Sequence, residues 1–193
     1  VVTYVNSSAV IKAMSTICCT SANSVKVAKS IKADEILMVP DRNLAAYTAA
    51  HTDKKIHRWN GFCPYHETLD TKTVRRVKQE HPRALFLAHP ECNPDVTAMA
   101  DFVTSTSGML DYAKKSDSKE FIVGTETGII YPLQKANPGK QFYPASDKMY
   151  CRDMKKITLT DIKKSLLNLS GEIRVPENIR INALSAVEKM LSV

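Results

Sequence analysis

The sequence lacks several features that would place it in a special class of protein. Only 6 of its 193 residues are Gly, which excludes a collagen-like repeat, and its 44% hydrophobic content excludes a disordered chain. No segment approaches the roughly 18 consecutive apolar residues of a membrane span. No basic stretch precedes an apolar one in the first residues, Val1 to Tyr4, so a signal peptide is not predicted. We therefore expect a globular, cytoplasmic protein without a membrane partner.

A long basic tract is also absent, although 27 basic and 20 acidic residues give a net charge of +7. The cations occur as pairs on predicted helix surfaces, and no aromatic residues are interleaved with them as stacking platforms for bases. The pairs are Arg75 and Arg76, Lys114 and Lys115, Lys155 and Lys156, and Lys163 and Lys164. This pattern is typical of solvated helix faces, so no nucleic-acid partner is expected.

The five cysteines show no pattern of paired ligands or disulfides. They are Cys18, Cys19, Cys63, Cys92 and Cys151. An odd count without a secretory signal argues against a disulfide framework. The lack of a Cys-x-x-Cys pair argues against a zinc ribbon, so any metal site would be assembled from distant parts of the chain. Cys18 and Cys19 lie in an apolar strand segment and are expected to be core thiols.

Short β-type segments alternate with helical segments from the first residue onward, which is typical of a parallel sheet with helices on its faces. The pattern then repeats at an offset of 84 to 88 residues. The recurring positions are Ser21 and Ser105, Ala28 and Ala113, Glu35 and Glu120, Asp41 and Glu126, and Cys63 and Cys151. An offset of this length is too long for a solenoid unit and indicates two copies of one domain.

The repeat leads to a prediction of fold class and domain organisation. We expect an α/β fold of tandem pseudo-repeated domains, each with a short four-stranded parallel sheet flanked by helices. The expected boundaries are residues 1–68 for one copy and 69–157 for the next. Residues 158–193 are predicted to form C-terminal helices that pack back on the domains.

Polar clusters follow the predicted strands, at the end of the sheet where ligands bind in open parallel sheets. Two of them, Thr20-Ser21 and Ser105-Thr106, stand at equivalent points of the two copies and precede helices. One explanation is N-capping, the usual role of Ser and Thr before a helix. The other is that the hydroxyls hold a carboxylate or phosphate beside the free N–H groups of the helix.

His89 and Glu91 flank Pro90 directly after a predicted strand. The proline stiffens the loop, so the imidazole and the carboxylate can be held on one side of a pocket for proton transfer or metal contact. A structural His beside a capping Glu would explain the same residues without a site. The neighbouring Cys92 has no cysteine at its equivalent position in the first copy, so the repeat does not mark it as a ligand.

Eight short stretches carry a family resemblance. They are Tyr-Val-Asn-Ser at 4–7 followed by Lys12-Ala13, Thr-Ser-Ala-Asn at 20–23, Pro-Asp-Arg-Asn-Leu at 40–44, Gly-Phe-Cys-Pro-Tyr-His at 61–66, His-Pro-Glu-Cys at 89–92, Ser-Thr-Ser-Gly-Met at 105–109, Thr-Glu at 125–126, and Cys151 followed by Met154-Lys155. In this order and spacing they resemble the quinolinate synthase family over essentially the whole chain.

The resemblance implies three α/β domains around a pseudo-threefold axis, each giving one cysteine to a central [4Fe-4S] cluster. These residues match the second and third domains, with Cys63 and Cys151 at the positions of two ligands, and the third cysteine belongs to the family's first domain. Thr16 stands where the family has Asp, so we expect a loosened structural hydrogen bond there. Six residues match the family's substrate pocket: Tyr4, Asn6, Ser21, His89, Glu91 and Thr106. The resemblance implies that Glu91, His89 and Tyr4 are catalytic residues.

The implied activity is that of a transferase, which condenses iminoaspartate with dihydroxyacetone phosphate to quinolinate in NAD biosynthesis, with cluster iron as a Lewis acid. It implies a functional link to a source of iminoaspartate, either L-aspartate oxidase or aspartate dehydrogenase. With two of three cluster ligands, these residues alone are expected to be inactive. Two other interpretations stay open: a zinc-dependent hydrolase built on Cys63, Cys92 and either Cys151 or His89, and a non-catalytic protein that binds a dicarboxylate.

Overall fold

The computed structural model describes all residues 1–193, and strands and helices alternate along the chain as predicted. The strands are β1 (Val2–Tyr4), β2 (Ile17–Cys19), β3 (Glu35–Val39), β4 (Lys55–Arg58), β5 (Leu85–Ala88), β6 (Phe102–Val103), β7 (Glu120–Gly124) and β8 (Gln141–Pro144). The helices are α1 (Ala9–Ala13), α2 (Ser24–Ser30), α3 (Arg42–Ala50), α4 (Pro64–Glu67), α5 (Thr71–Glu80), α6 (Pro94–Thr97), α7 (Thr106–Lys115), α8 (Ile130–Ala136), α9 (Leu159–Asn168) and α10 (Glu177–Leu191), with a 3-10 turn at Thr127–Ile129. None of the helices combines the length and the apolarity that crossing a membrane would require.

The strands form two four-stranded parallel sheets with the same topology. The order is β2-β1-β3-β4 in the first sheet and β6-β5-β7-β8 in the second, so each strand of the second sheet stands four places after its counterpart. All pairs within both sheets are parallel, because helices connect the successive strands. The predicted fold class, an α/β chain of two pseudo-repeated units, is confirmed.

The repeat extends to the register of the strands. Thr3 pairs with Cys18 in the first sheet, and Ala88 pairs with Val103 in the second, which is the same pairing 85 residues later.

Thr16, which stands where the family has Asp, still forms a side-chain hydrogen bond. The Thr16 hydroxyl accepts from the Val1 nitrogen at 3.1 Å, whereas the Asp101 carboxylate accepts from Phe86 N–H at 2.7 Å. The expected loosening is therefore a longer bond and not a lost one.

The second sheet is covered on both faces, as a parallel sheet requires. Side chains alternate along β5, so that Phe86 packs with α5 on one face and Leu87 packs with α7 and α8 on the other. The buried residues of the α5 face are Leu69, Val74, Val77, Ala84, Phe86, Ala88, Cys92, Val96, Ile122, Ala145 and Met149. Those of the opposite face are Leu87, Met109, Ala113, Phe121, Val123, Ile129, Leu133 and Phe142.

The two C-terminal helices differ in how they pack. Helix α10 lies against α1 and β2, and its Ala186 and Met190 belong to the core of the first sheet. Helix α9 has no buried residue, although Thr158 and Asp161 form a complete capping box at its start. The packing of α9 on the domains stays a prediction. Its cap stabilises the helix locally, whereas its leucines find no partner among these residues.

Candidate active site

His89 and Glu91 lie together directly beyond the carboxyl end of β5. The His89 N–H donates to the Gly124 carbonyl at 3.0 Å, which continues the pairing of β5 with β7, and the Cys92 N–H donates to the His89 carbonyl at 2.9 Å and closes a turn. This turn holds His89 Nδ1 3.6 Å from Glu91 Oε2. Both side chains are buried, so a charge on either one is poorly screened by water.

Ser21 and Tyr4 from the first repeat face this pair. Ser21 Oγ lies 3.2 Å from His89 Nε2, and the Tyr4 phenol lies next to Ser21. The Glu91 N–H donates to His89 Nδ1, which leaves Nε2 as the ring nitrogen that carries hydrogen and donates to Ser21. Burial, together with the nearby His66, lowers the pKa of His89 to about 3, so the ring is neutral at neutral pH.

His66, on α4, completes the buried cluster and was not among the predicted site residues. Its ring stacks on His89 with centroids 4.5 Å apart, and its Nε2 lies 2.9 Å from Thr125 Oγ1. Burial by itself lowers the pKa of His66, but the adjacent Cys63 and Glu91 outweigh that effect and raise it to about 9. His66 is therefore a buried cation at neutral pH. The signal that points to it is its position three residues after Cys63, one helical turn away on the same side.

The charges of this cluster are balanced within it. Burial tends to raise the pKa of Glu91, but the contact with His66 and the proximity of His89 lower it below its ordinary value, so Glu91 is ionised. Burial, followed by the charge of Glu91, raises the pKa of Tyr4, so its phenol keeps its proton. The site thus contains one carboxylate, one imidazolium and one neutral imidazole in contact, with a neutral phenol beside Ser21.

Two cysteine loops lie beside the cluster and are held in the same way. Asp41, at the end of β3, accepts the Cys63 N–H at 2.8 Å, and Glu126, at the end of β7, accepts the Cys151 N–H at 3.2 Å. The Arg152 N–H donates to the hydroxyl of Tyr65 at 3.2 Å, so the two loops are in contact. Both cysteines are partly exposed free thiols.

The first cysteine loop packs too closely against β3 to accept a side chain at Gly61. A Cβ there would lie 2.4 Å from the Pro40 carbonyl oxygen, well inside van der Waals contact. The Gly61 carbonyl in turn accepts the N–H of Arg42 at 2.8 Å. A glycine at this position therefore allows the loop that carries Cys63 to approach the end of β3.

Comparison with known proteins assigns this arrangement to a family. The family model described as Quinolinate synthetase A protein matches residues 1–192. The chain belongs to this family. It is 55% identical to the quinolinate synthase of Geotalea uraniireducens and 51% identical to that of Geobacter metallireducens, each over all 193 residues and 64% of the relative. Quinolinate synthase 2 of Methanosarcina acetivorans is 50% identical and is covered to 62%. The chain thus spans less than two thirds of the length of these relatives, and the predicted resemblance is confirmed.

The donor set fits two ligands of the iron–sulfur cluster that the resemblance to this family implies. Cys63 and Cys151 are partly exposed and lie on touching loops, whereas the other three cysteines are buried. Burial raises the pKa of both Cys19 and Cys92 to about 12, and the Cys92 thiol donates to the Gly124 carbonyl at 3.3 Å. Both buried thiols are therefore protonated, whereas iron–sulfur clusters are held mainly by thiolates. The buried Cys92 also argues against the zinc-hydrolase interpretation, which needs that thiol.

Two of the predicted pocket residues, Asn6 and Thr106, are exposed and stand outside the hydrogen-bonded cluster. At the start of α7 it is Ser105 that caps the helix, accepting the Gly108 N–H at 3.2 Å, so the Thr106 hydroxyl is free. The cap position of α2 is Asn23, whose side chain makes no cap hydrogen bond, and Ser21 instead faces His89. N-capping therefore explains Ser105 and leaves Ser21 and Thr106 for another role.

Proposed function

We propose that these residues form the second and third repeats of a quinolinate synthase, which condenses iminoaspartate with dihydroxyacetone phosphate to quinolinate in NAD biosynthesis. The observation that carries the proposal is the buried contact of Glu91, His89 and His66 with Ser21, at facing strand ends of the two repeats. A reaction that removes several protons and loses water needs such a group of acid and base side chains. The substrate would come from an L-aspartate oxidase or an aspartate dehydrogenase.

Cys63 and Cys151 would hold a [4Fe-4S] cluster together with a thiolate from outside these residues. When bound, the cluster supplies a Lewis-acidic iron that polarises a substrate oxygen or nitrogen. Asp41 and Glu126 would fix the two cysteine loops through the backbone N–H of each ligand. Each carboxylate also accepts a second backbone N–H, that of Leu44 for Asp41 and that of Gly128 for Glu126, which further fixes its position.

The proton transfers would be divided among three side chains. The Glu91 carboxylate is ionised and buried, so its Oε2 can accept a proton from the substrate. His89 is neutral and presents Nε2–H, which can donate to a developing oxyanion. The Tyr4 phenol is protonated and can donate in the same way. The His66 imidazolium would keep Glu91 ionised and stabilise negative charge that forms near it.

Substrate anions would be held by three polar side chains, two of them outside the hydrogen-bonded cluster and the third, Ser21, facing His89. Asn6, Ser21 and Thr106 carry an amide or a hydroxyl at the carboxyl ends of the strands. Thr106 is the first residue of α7, where free backbone N–H groups and the helix dipole favour a carboxylate or phosphate. The alternative is a protein that binds a dicarboxylate without turnover. It would use the same contacts but would not need Glu91 as a base.

The test is Glu91→Gln in a chain joined to the N-terminal third of the Geotalea uraniireducens quinolinate synthase. Gln keeps the shape of Glu91 but cannot accept a proton, so quinolinate formation should fall by about 10²-fold or more with iron content unchanged. Glu80→Gln, at an exposed position paired with Arg76, is the matched control and should leave the rate unchanged. Turnover of the Glu91 variant equal to that of the control would remove Glu91 from the site.

A further inference from the structure

We propose that Cys63, His66 and Glu91 bind a zinc ion whenever Cys63 does not hold the iron–sulfur cluster. One ligand atom from each of the three residues lies within 4.8 Å of the other two. A thiolate, an imidazole and a carboxylate are ligands that zinc prefers, and three protein ligands with one open position are typical of zinc sites that keep a bound water. The proposal rests on the proposed function in one respect, that Cys63 is also a cluster ligand.

His66 provides an independent indication that the site takes a ligand. Its Nδ1 is buried and has no hydrogen-bond partner. The carboxylate oxygen Glu91 Oε2 is only 3.1 Å away, but its direction is wrong for a hydrogen bond, and the His66 side chain is 9% exposed. A nitrogen in this position is normally paired in a native protein. A metal ion between Nδ1, the Cys63 thiolate and the Glu91 carboxylate would satisfy it.

The surroundings of His66 resemble the outer shell of a metal-binding histidine. Zinc would displace the Nδ1 proton of the His66 imidazolium, and the remaining proton stays on Nε2, which lies 2.9 Å from Thr125 Oγ1, so that the Nδ1 lone pair faces the other two ligands. An outer partner of this kind fixes the ring orientation and the tautomer of a ligand. The stacked ring of His89 adds a second restraint on the same side chain. The imidazole is thus already oriented for a metal.

The backbone holds the two remaining ligands in place as well. Cys63 is the residue before α4, Pro64 begins the helix, and His66 follows within the same turn, so the Cys-x-x-His spacing keeps both ligands on one side. Asp41 fixes the Cys63 N–H. The thiolate and the carboxylate together carry two negative charges, which a divalent cation neutralises. The thiolate disfavours magnesium and calcium, which take oxygen ligands.

Shared use of Cys63 makes zinc and the iron–sulfur cluster mutually exclusive. Cys151, the other expected cluster ligand, is not part of the zinc triad. Zinc would therefore occupy the cluster-free chain, cover the Cys63 thiol, and have to leave before the cluster is assembled. The zinc site combines Cys63 with His66 and Glu91, whereas the cluster site combines it with Cys151. Substitutions of these partners can therefore affect one site without the other.

The experiment titrates the metal-free 193-residue chain with Co²⁺ and with Zn²⁺ under anaerobic conditions. Cobalt reports a bound thiolate by its charge-transfer absorption, and a chromophoric chelator gives the zinc affinity by competition. Cys63→Ser should abolish the charge-transfer band, and His66→Gln and Glu91→Gln should each weaken zinc binding by about 10-fold or more. Cys151→Ser, which removes an equally accessible thiol, is the matched control and should bind both metals as the parent does.

Thr125→Val tests the same site without removing a ligand. It keeps the proposal testable even if one of the ligand variants fails to fold. Loss of the Nε2 partner should weaken zinc binding by about 10-fold while circular dichroism stays that of the parent. A cobalt band that persists in Cys63→Ser, or a zinc affinity unchanged in His66→Gln and Thr125→Val, would overturn the proposal. Iron uptake distinguishes it from the proposed function. In the chain joined to the relative's N-terminal third, Cys151→Ser should lose iron and keep zinc, and His66→Gln should lose zinc and keep iron.

Discussion

Replacement of Asp41 by Asn measures how firmly the first cysteine loop is anchored. Asp41 Oδ1 accepts the Leu44 N–H at 2.7 Å at the start of α3, and Oδ2 accepts the Cys63 N–H at 2.8 Å. Asn keeps one acceptor oxygen and turns an NH₂ group toward the other donor, so one N–H loses its partner. Asp41 is only 6% exposed, so water cannot fully replace the bond. We expect the free energy of unfolding to fall by about 1 to 3 kcal/mol, measured by urea denaturation.

Asp70 provides the matched control for this substitution. It caps α5 by accepting the Thr73 N–H at 2.7 Å, but it is exposed and holds no second N–H. Asn caps a helix about as well as Asp, so Asp70→Asn should leave stability nearly unchanged. If Asp41→Asn is as mild as Asp70→Asn, the carboxylate does not anchor the loop and the reasoning is wrong. As a second readout, Cys63 should react faster with a disulfide reagent in the Asp41 variant.

Two further predictions concern the thiols and the packing. In the chain joined to the relative's N-terminal third, Cys63→Ser or Cys151→Ser should abolish iron content and brown colour, whereas Cys18→Ser should affect stability alone, because Cys18 is a buried strand thiol. Iron content that is unchanged in both ligand variants would contradict the assignment. Leu133→Ala should lower the free energy of unfolding by about 2 to 5 kcal/mol, because Leu133 is fully buried, whereas Leu166→Ala on the exposed face of α9 should change it by less than about 0.5 kcal/mol. Equal effects of the two leucine substitutions would mean that α9 is packed in solution.

The fold could be predicted because its signals are local and occur twice. The strand Glu35–Val39 follows from a short apolar run, and the helix Glu177–Leu191 follows from helical periodicity. The repeat then identifies both sheets from a single pattern, and the register of Thr3 and Ala88 shows that the correspondence is exact to the residue. The packing of α9 could not be predicted in this way, because a helical pattern of leucines indicates an apolar face without indicating what covers it.

The candidate site was predictable only in part, because a local sequence pattern does not indicate which residues of the two repeats lie close together. His89 and Glu91 are two residues apart and could be grouped on that ground. His66 joins them from 23 residues earlier through the packing of α4 against the end of β5, and no periodicity reports such a contact. The exposed position of Thr106 has a similar cause. Ser105 takes the capping role, and the helix then turns the next side chain outward.

The offset of 85 residues also shows how one architecture can carry two different tasks. It places Tyr4 at the position of His89 and Asn6 at that of Glu91. The strand register also places Ser21 at the position of Thr106, one residue after the Ser105 that the sequence pattern paired with it. The second repeat has the ionisable imidazole and carboxylate, whereas the first has groups that hydrogen-bond without changing charge near neutral pH. The difference follows from burial, because Glu91 is buried against His66 while Asn6 is exposed. A carboxylate at Asn6 would be solvated and unpaired. Under the proposed function, the first repeat would bind anionic substrate and the second would transfer protons.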